Sequence, residues 1–66
     1  MFKVKLWYDP HNERGQYREL AEYYLAREDA MIAANAPGPD RALVLDLNRT
    51  VRPDSLSHPV LYTRGF

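Results

Sequence analysis

The chain has 66 residues and no cysteine, and its nine Lys plus Arg balance nine Asp plus Glu, so its formal net charge is zero. A chain of this length forms one domain with a small core, which buries about 60% of the surface that the unfolded chain exposes. The composition excludes disulfides and thiolate zinc sites, and the balanced charge argues against a protein that binds nucleic acid or anionic membranes by bulk charge alone.

An alternating pattern of side chains predicts a first strand over residues 2–8. Apolar residues and lysines alternate over residues 2–6, as in a strand with two different faces, and Trp7 falls on the side of the lysines. One face carries Phe2, Val4, Leu6 and Tyr8, and the other carries Lys3, Lys5 and Trp7.

The next segment, residues 13–35, is predicted to be one long amphipathic helix. At 3.6 residues per turn its apolar side chains fall within an arc of about 140°. These side chains are Tyr17, Leu20, Ala21, Tyr24, Leu25, Met31 and Ile32. Glu28 falls in the middle of the same arc. It either pairs with Arg41, Arg64 or a tyrosine hydroxyl, because an unpaired buried carboxylate is costly, or it is an acid held ready for recognition.

Two prolines and a glycine within residues 36–40 end this helix. Residues 41–48 are predicted to form a second strand whose leucines face the helix, residues 49–58 a loop, and residues 60–64 a third strand that Pro59 places at a sheet edge. Four side chains are expected to be buried: Leu20, Tyr24, Leu43 and Leu45.

These elements predict an α/β (α+β) fold, a small two-layer β-α-β-β domain in which one long helix packs on a three-stranded sheet. The second and third strands are expected to be antiparallel. A right-handed crossover would set the first strand parallel to the second, and a connection of this length also permits the antiparallel arrangement.

Few residues in the sequence could carry catalysis. His11 and His58 are the only histidines, each adjoins a proline, and neither has a second metal ligand at helical spacing. Ser55 and Ser57 lie near His58 in a polar loop, a proximity that is not by itself a catalytic arrangement. We therefore predict a protein that is not an enzyme and has no catalytic residue, metal or cofactor.

Two surfaces are candidates for binding a partner. The first is the strand face that carries Trp7, Lys3 and Lys5. A single helix on the other side of the sheet would leave this face uncovered, and an exposed tryptophan beside lysines is typical of an interface hot spot. It could equally serve a homodimer formed by stacking two such faces, or be covered by the arginine loop or by residues 63–66. The second is an acidic strip on the outer side of the helix, whose other flank carries Tyr23 near Arg27. Spaced carboxylates can imitate phosphates toward a basic partner, or they can simply form a solvated face. The strip consists of Glu19, Glu22 and Asp29.

A small single domain with no cysteine, no catalytic constellation and a spare sheet face is suited to occupying the surface of another protein. In this layout the chain resembles the anti-CRISPR proteins, small phage- or plasmid-encoded inhibitors of which many are non-enzymatic single domains that block a CRISPR surveillance complex. The resemblance covers the whole chain as a size and a β-α-β-β pattern, without a shared motif. It implies a larger protein or ribonucleoprotein complex as partner. The net charge of zero departs from the strongly acidic members of that group.

Two other functions are compatible with the sequence. One is a small nucleic-acid-binding domain, less favoured, in which Lys3, Lys5 and Trp7 form a platform and arginines contact phosphates. These arginines would be Arg49, Arg52 and Arg64. The other is a structural subunit of a larger assembly. No apolar run approaches the roughly 18 residues of a membrane span, and no signal-peptide pattern follows Met1, so we expect no membrane partner and a cytoplasmic location.

Overall fold

A computed structural model describes residues 1–8, 18–52 and 57–66. In this part of the chain a four-stranded sheet is covered on one face by one short helix. Its strands stand in the order β2-β1-β3-β4, and every neighbouring pair is antiparallel. The elements are β1 (Phe2–Tyr8), β2 (Arg18–Tyr24), α1 (Arg27–Ala34), β3 (Arg41–Asp46) and β4 (Val60–Arg64).

The prediction of one long helix on a three-stranded sheet is wrong. Helix α1 covers only eight residues, and the stretch before it forms β2, which pairs with β1 along its whole length. Leu20 and Tyr24 explain the error, because side chains four residues apart share a face both in a helix and in a strand. Adjacent tyrosines at 23 and 24 favour a strand, and β1 offers a complete hydrogen-bonding edge for it. Residues 13–17 of the predicted helix lie outside the described residues.

The extra strand also decides the direction of the sheet. The chain reverses between β1 and β2, and β3 then pairs with the other edge of β1 in the antiparallel direction. Strands β2 and β3 are therefore parallel to each other, with β1 between them and α1 as their connection. Of the two arrangements that the sequence allowed for β1 and β3, the antiparallel one is found.

The core lies between α1 and one face of the sheet. Its fully buried side chains are small or medium in size, and the alanines of α1 stand one helical turn apart, on the face turned toward the sheet. Small side chains on both sides let the helix approach the strands closely. The buried residues are Val4, Leu6, Ala30, Ala34, Ala42 and Val44.

The predicted leucine core is wrong in two respects. Leu20 is 43% exposed, because it lies on the edge strand β2. Leu43 and Leu45 are only half-buried and point away from α1, since their neighbours Ala42 and Val44 occupy the helix side of β3. Tyr24 packs against the core but is also only half-buried.

The two ends of α1 are held differently. At its start Ala26 has an extended backbone and supplies no side-chain cap. At its end the Tyr62 hydroxyl donates to Oδ1 of Asn35 at 2.7 Å, and Nε of Arg64 donates to the carbonyl of Ala34 at 3.0 Å. A cation at a helix C-terminus also complements the helix dipole, so β4 fixes this end of α1.

Candidate functional site

The strand side chains that point away from α1 form what we call the open face. Residues directly opposite each other on neighbouring strands share a face, so the strand registers assign its members. Across the sheet they make three rows: Glu19–Trp7–Arg41, Ala21–Lys5–Leu43–Thr63 and Tyr23–Lys3–Leu45–Val60.

An aromatic corner stands at one end of the open face. The rings of Trp7 and Phe66 meet edge to face, with centroids 5.2 Å apart and planes at 86°. The guanidinium of Arg41 lies 5.5 Å from the centre of the Phe66 ring, a cation–π arrangement. Trp7 is thereby half-buried, whereas Phe66 is 69% exposed. Of the alternatives that the sequence left open for Trp7, contact with residues 63–66 is found, through the ring of Phe66.

Gly65 places this corner. Its φ of +82° lies in the left-handed region, and a Cβ at this position would collide with the carbonyl oxygen of Asp40. Only glycine fits this close approach of two backbones. The turn at Gly65 therefore returns the chain end to the sheet and sets Phe66 on Trp7.

The other end and the middle of the open face carry the lysines. Lys3 lies with its ammonium 5.7 Å from the centre of the Tyr23 ring, and Lys5 forms an ion pair with Glu19 at 3.4 Å. Tyr23 is 54% exposed. The structure thus brings Lys3, Lys5, Trp7, Glu19 and Tyr23, all predicted as partner-binding residues, onto one face.

Beside the lysines runs an aliphatic strip, formed by Leu43, Leu45 and Val60 on β3 and β4. The sequence analysis missed these residues, and Arg41 with them, as parts of a surface because it assigned the leucines to the core. The alternation in β3 places either set inside, and only the packing of α1 decides between them. For Phe66 the sequence indicated only that residues 63–66 could cover Trp7, and not that its ring would become part of the surface.

The acidic strip predicted from the helix does not form. Glu19 and Glu22 are three residues apart on a strand, so they lie on opposite faces, and Asp29 lies on α1. Glu22 accepts a hydrogen bond from the hydroxyl of Tyr24 at 3.0 Å. Burial raises the pKa of Tyr24 above its ordinary value of 10.0, and this hydrogen bond and the charges of Glu22 and Asp29 raise it further.

The structure also gives the positions of three residues that the sequence singled out: Glu28, His58 and Arg64. Glu28 does not point into an apolar arc but is exposed in the first turn of α1, where a carboxylate complements the helix dipole. Nδ1 of His58 lies 2.7 Å from the carbonyl of Arg49 and donates to it, so this histidine ties the ends of the loop together. Arg64 lies opposite Ala42 on the helix side of the sheet and donates to the carbonyls of Ala34 and Pro39, so it does not share a face with Lys3, Lys5 and Trp7. His11 and Ser55 lie outside the described residues.

Within residues 1–8, 18–52 and 57–66, no group of three acidic or histidine side chains is arranged to hold a metal ion. Helix α1, the only one in those ranges, is far too short to cross a lipid bilayer. A scan against protein-family models, a search of curated proteins and a search of solved structures each found no match.

Proposed function

We propose that this chain is a non-enzymatic binding module that occupies the surface of a larger protein through its open face. The observation that carries the proposal is the aliphatic strip of Leu43, Leu45 and Val60, which lies on the sheet face opposite α1 and borders the aromatic corner. Phe66, which lies beyond the end of β4, packs onto this face at Trp7.

Burial of this surface would supply the affinity. Apolar area removed from water contributes about 25 cal/mol per Å², and aromatic residues with arginine are the side chains that most often dominate interfaces. Trp7, Phe66 and Arg41 already hold one another in place. A preorganised anchor of this kind loses little side-chain entropy when the partner binds.

Charge indicates the chemistry of the partner. Among the described strand residues, the open face carries Lys3 and Lys5 against the carboxylate of Glu19, which pairs with Lys5. A complementary surface would present apolar side chains with carboxylates around them, which speeds association and fixes orientation. The face therefore fits an acidic protein surface rather than the basic one that the predicted acidic strip suggested.

Nucleic-acid binding is a second candidate, because the open face holds Tyr23 and Phe66 in addition to Trp7, and bases stack on aromatic rings. Two features favour a protein instead. The aliphatic strip offers no ring on which a base could stack. The Trp7 ring is half-buried and in edge-to-face contact with Phe66, which limits the access of a base to it.

Inhibition of a CRISPR surveillance complex stays a prediction. The resemblance to anti-CRISPR proteins combined small size with the order β-α-β-β, and the order in this chain is β-β-α-β-β. Small size and a surface suited to occupying a partner still support it. It is the most specific form of the inhibitory function proposed here.

The test is capture of partners from host cells on the tagged chain, followed by titration of each captured protein against the parent and two variants. Trp7 is the only tryptophan, so its fluorescence reports directly whether the open face is covered. We expect Leu43→Asp to weaken binding by about 30-fold or more, about 2 kcal/mol. Leu25→Asp is the matched control, because Leu25 is 82% exposed and follows the end of β2, outside the four strands that form the open face; it should bind as the parent does.

Three results would count against the proposal. Equal affinity of Leu43→Asp and the parent would remove the open face from the interface. An unchanged Trp7 emission on saturation would do the same. The third result is capture that nuclease abolishes, together with binding to single-stranded RNA that weakens steeply as salt is raised. This result would favour nucleic-acid binding over the proposed protein-binding function. In cells with CRISPR immunity, the specific prediction requires that the parent and Leu25→Asp restore phage growth and that Leu43→Asp does not.

A further inference from the structure

Strand β2 is an edge strand, and no strand within residues 1–8, 18–52 and 57–66 pairs with its outer side. Its seven residues pair with β1 in an uninterrupted register, and every one except Tyr24 is exposed. A strand paired on one side only keeps half of its backbone N–H and C=O groups directed outward. Such an edge accepts a further strand unless something blocks it.

The opposite edge of the sheet, strand β4, is better protected than β2 against pairing with a further strand. Strand β4 has five residues and follows Pro59, and its pairing with β3 is shifted by an irregularity between Val44 and Leu45. Prolines, bulges and short length are the usual means of keeping an edge from pairing. Strand β2, RELAEYY, contains no proline or glycine, and its register with β1 has no bulge.

Strand β2 carries a positive and a negative side chain at equal distances from Leu20. Arg18, Leu20 and Glu22 alternate along the strand on the helix side of the sheet, as their partners on β1 show. If a second β2 lies alongside in the antiparallel direction with the two-fold axis at Leu20, each Arg18 stands opposite a Glu22. The two Leu20 side chains then meet at the axis. Opposite charges in directly facing positions stabilise a strand pair.

Neighbouring registers are less favourable. Side chains that stand directly opposite each other must lie on the same face of the sheet. The two-fold axis therefore passes through a residue of β2, and it can shift along the strand only in steps of one residue. With the axis at Glu19 or Glu22, like carboxylates face each other. With the axis at Ala21, Leu20 stands opposite Glu22 and Arg18 opposite Tyr24, which leaves the charges without partners across the axis. Only the axis at Leu20 pairs them.

We propose that two copies of this chain associate through β2, pairing in the antiparallel direction about Leu20 to form a continuous eight-stranded sheet. Helix α1 leaves room for this, because it packs more on the central strands β1 and β3 than on β2. On the other face Glu19 meets Ala21, which introduces no repulsion. This pairing does not rest on the proposed function and leaves the open faces of both copies accessible.

The test is sedimentation velocity of the purified chain over a range of concentrations, with charge reversals in β2. The parent should form dimers. Arg18→Glu and Glu22→Arg should each weaken the dimer about tenfold or more, because two attractive pairs become two repulsive ones. The double variant Arg18→Glu/Glu22→Arg should restore dimerisation. An equimolar mixture of the two single variants should form heterodimers, since each then faces a complementary charge.

Circular dichroism and thermal midpoints must show that every variant folds, because Arg18 also lies 5.3 Å from the Tyr8 ring and Glu22 accepts from Tyr24. A second probe is Leu20→Asp, which sets two carboxylates at the axis; Leu25→Asp is its control. A parent that stays monomeric at all concentrations overturns the proposal and leaves the edge to a strand of a different protein. A dimer that resists the β2 reversals but is lost in Leu43→Asp would instead join two open faces, and this too would overturn it.

Discussion

At the scale of single residues, Ala30, Ala34 and Ala42 determine which face of the sheet is buried. All three have no exposed surface, and they lie where α1 crosses the strands. Larger side chains at these positions would separate the two layers and cost about 1–3 kcal/mol. The leucines of β3 are therefore left on the opposite face because the smaller set fits beneath the helix.

Val44 is one of the two largest fully buried side chains, so we expect Val44→Ala to destabilise the fold by about 2 kcal/mol through lost burial and a cavity. Val51→Ala is the matched control, since Val51 is 61% exposed and its truncation should change stability by less than about 0.5 kcal/mol. The measurement is urea unfolding followed by circular dichroism. Equal midpoints for the two variants would show that the core does not lie on this side of β3.

At the scale of elements, α1 is short and depends on its surroundings for stability. Isolated helices below about 12–15 residues are marginal in water, and α1 has eight. Its C-terminus is fastened by Tyr62 and Arg64, whereas its N-terminus has carboxylates at Glu28 and Asp29 but no side-chain cap at Ala26. The uncapped start is therefore the weaker end of the helix.

Ala26→Ser should stabilise the protein by about 1 kcal/mol, because a serine hydroxyl can accept a hydrogen bond from an N–H of the first turn. The extended backbone at Ala26 already has the conformation that such a cap requires. Ala36→Ser, an exposed alanine beyond the other end of α1, is the control and should be close to neutral. If the two substitutions shift the urea midpoint equally, the helix does not begin at Arg27.

At the scale of the whole molecule, β1 and β3 are the central strands and the helix covers the middle of the sheet. Amide hydrogen exchange should therefore be slowest in these two strands, at Val4, Leu6 and Val44 above all, and faster in α1 and the edge strands. The measurement is exchange followed by NMR at low protein concentration. Slower exchange in α1 than in β1 would contradict this order of stability.

The same measurement connects the fold with the proposed association through β2. At high protein concentration a second strand would cover the outer edge, so β2 amides directed away from β1 should gain protection while those of β4 do not. The proposed function makes no such prediction for the open face, because the partner proposed for it is a different protein. Edge and face can thus be examined separately in one molecule.

Part of this architecture could be predicted from the sequence alone. Both Phe2–Tyr8 and Val60–Arg64 are rich in strand-forming side chains, and those of Phe2–Tyr8 also alternate between two faces, so both strands are predicted with the bounds that the structure has. The same alternation puts Lys3, Lys5 and Trp7 together on one face of β1, so the heart of the candidate site could be recognised without coordinates.

The tertiary structure decided the rest. Leu20 and Tyr24 satisfy the period of a helix and of a strand equally, and only pairing with β1 makes their segment β2. Tyr23 and Glu19 reach the open face for that reason, not through the helix flank or the acidic strip that the sequence suggested. Ala42 and Leu43 could each face inward until α1 packs on one of them. Phe66 reaches Trp7 because a left-handed glycine turns the chain end back onto the sheet, a contact between distant residues that no local pattern encodes.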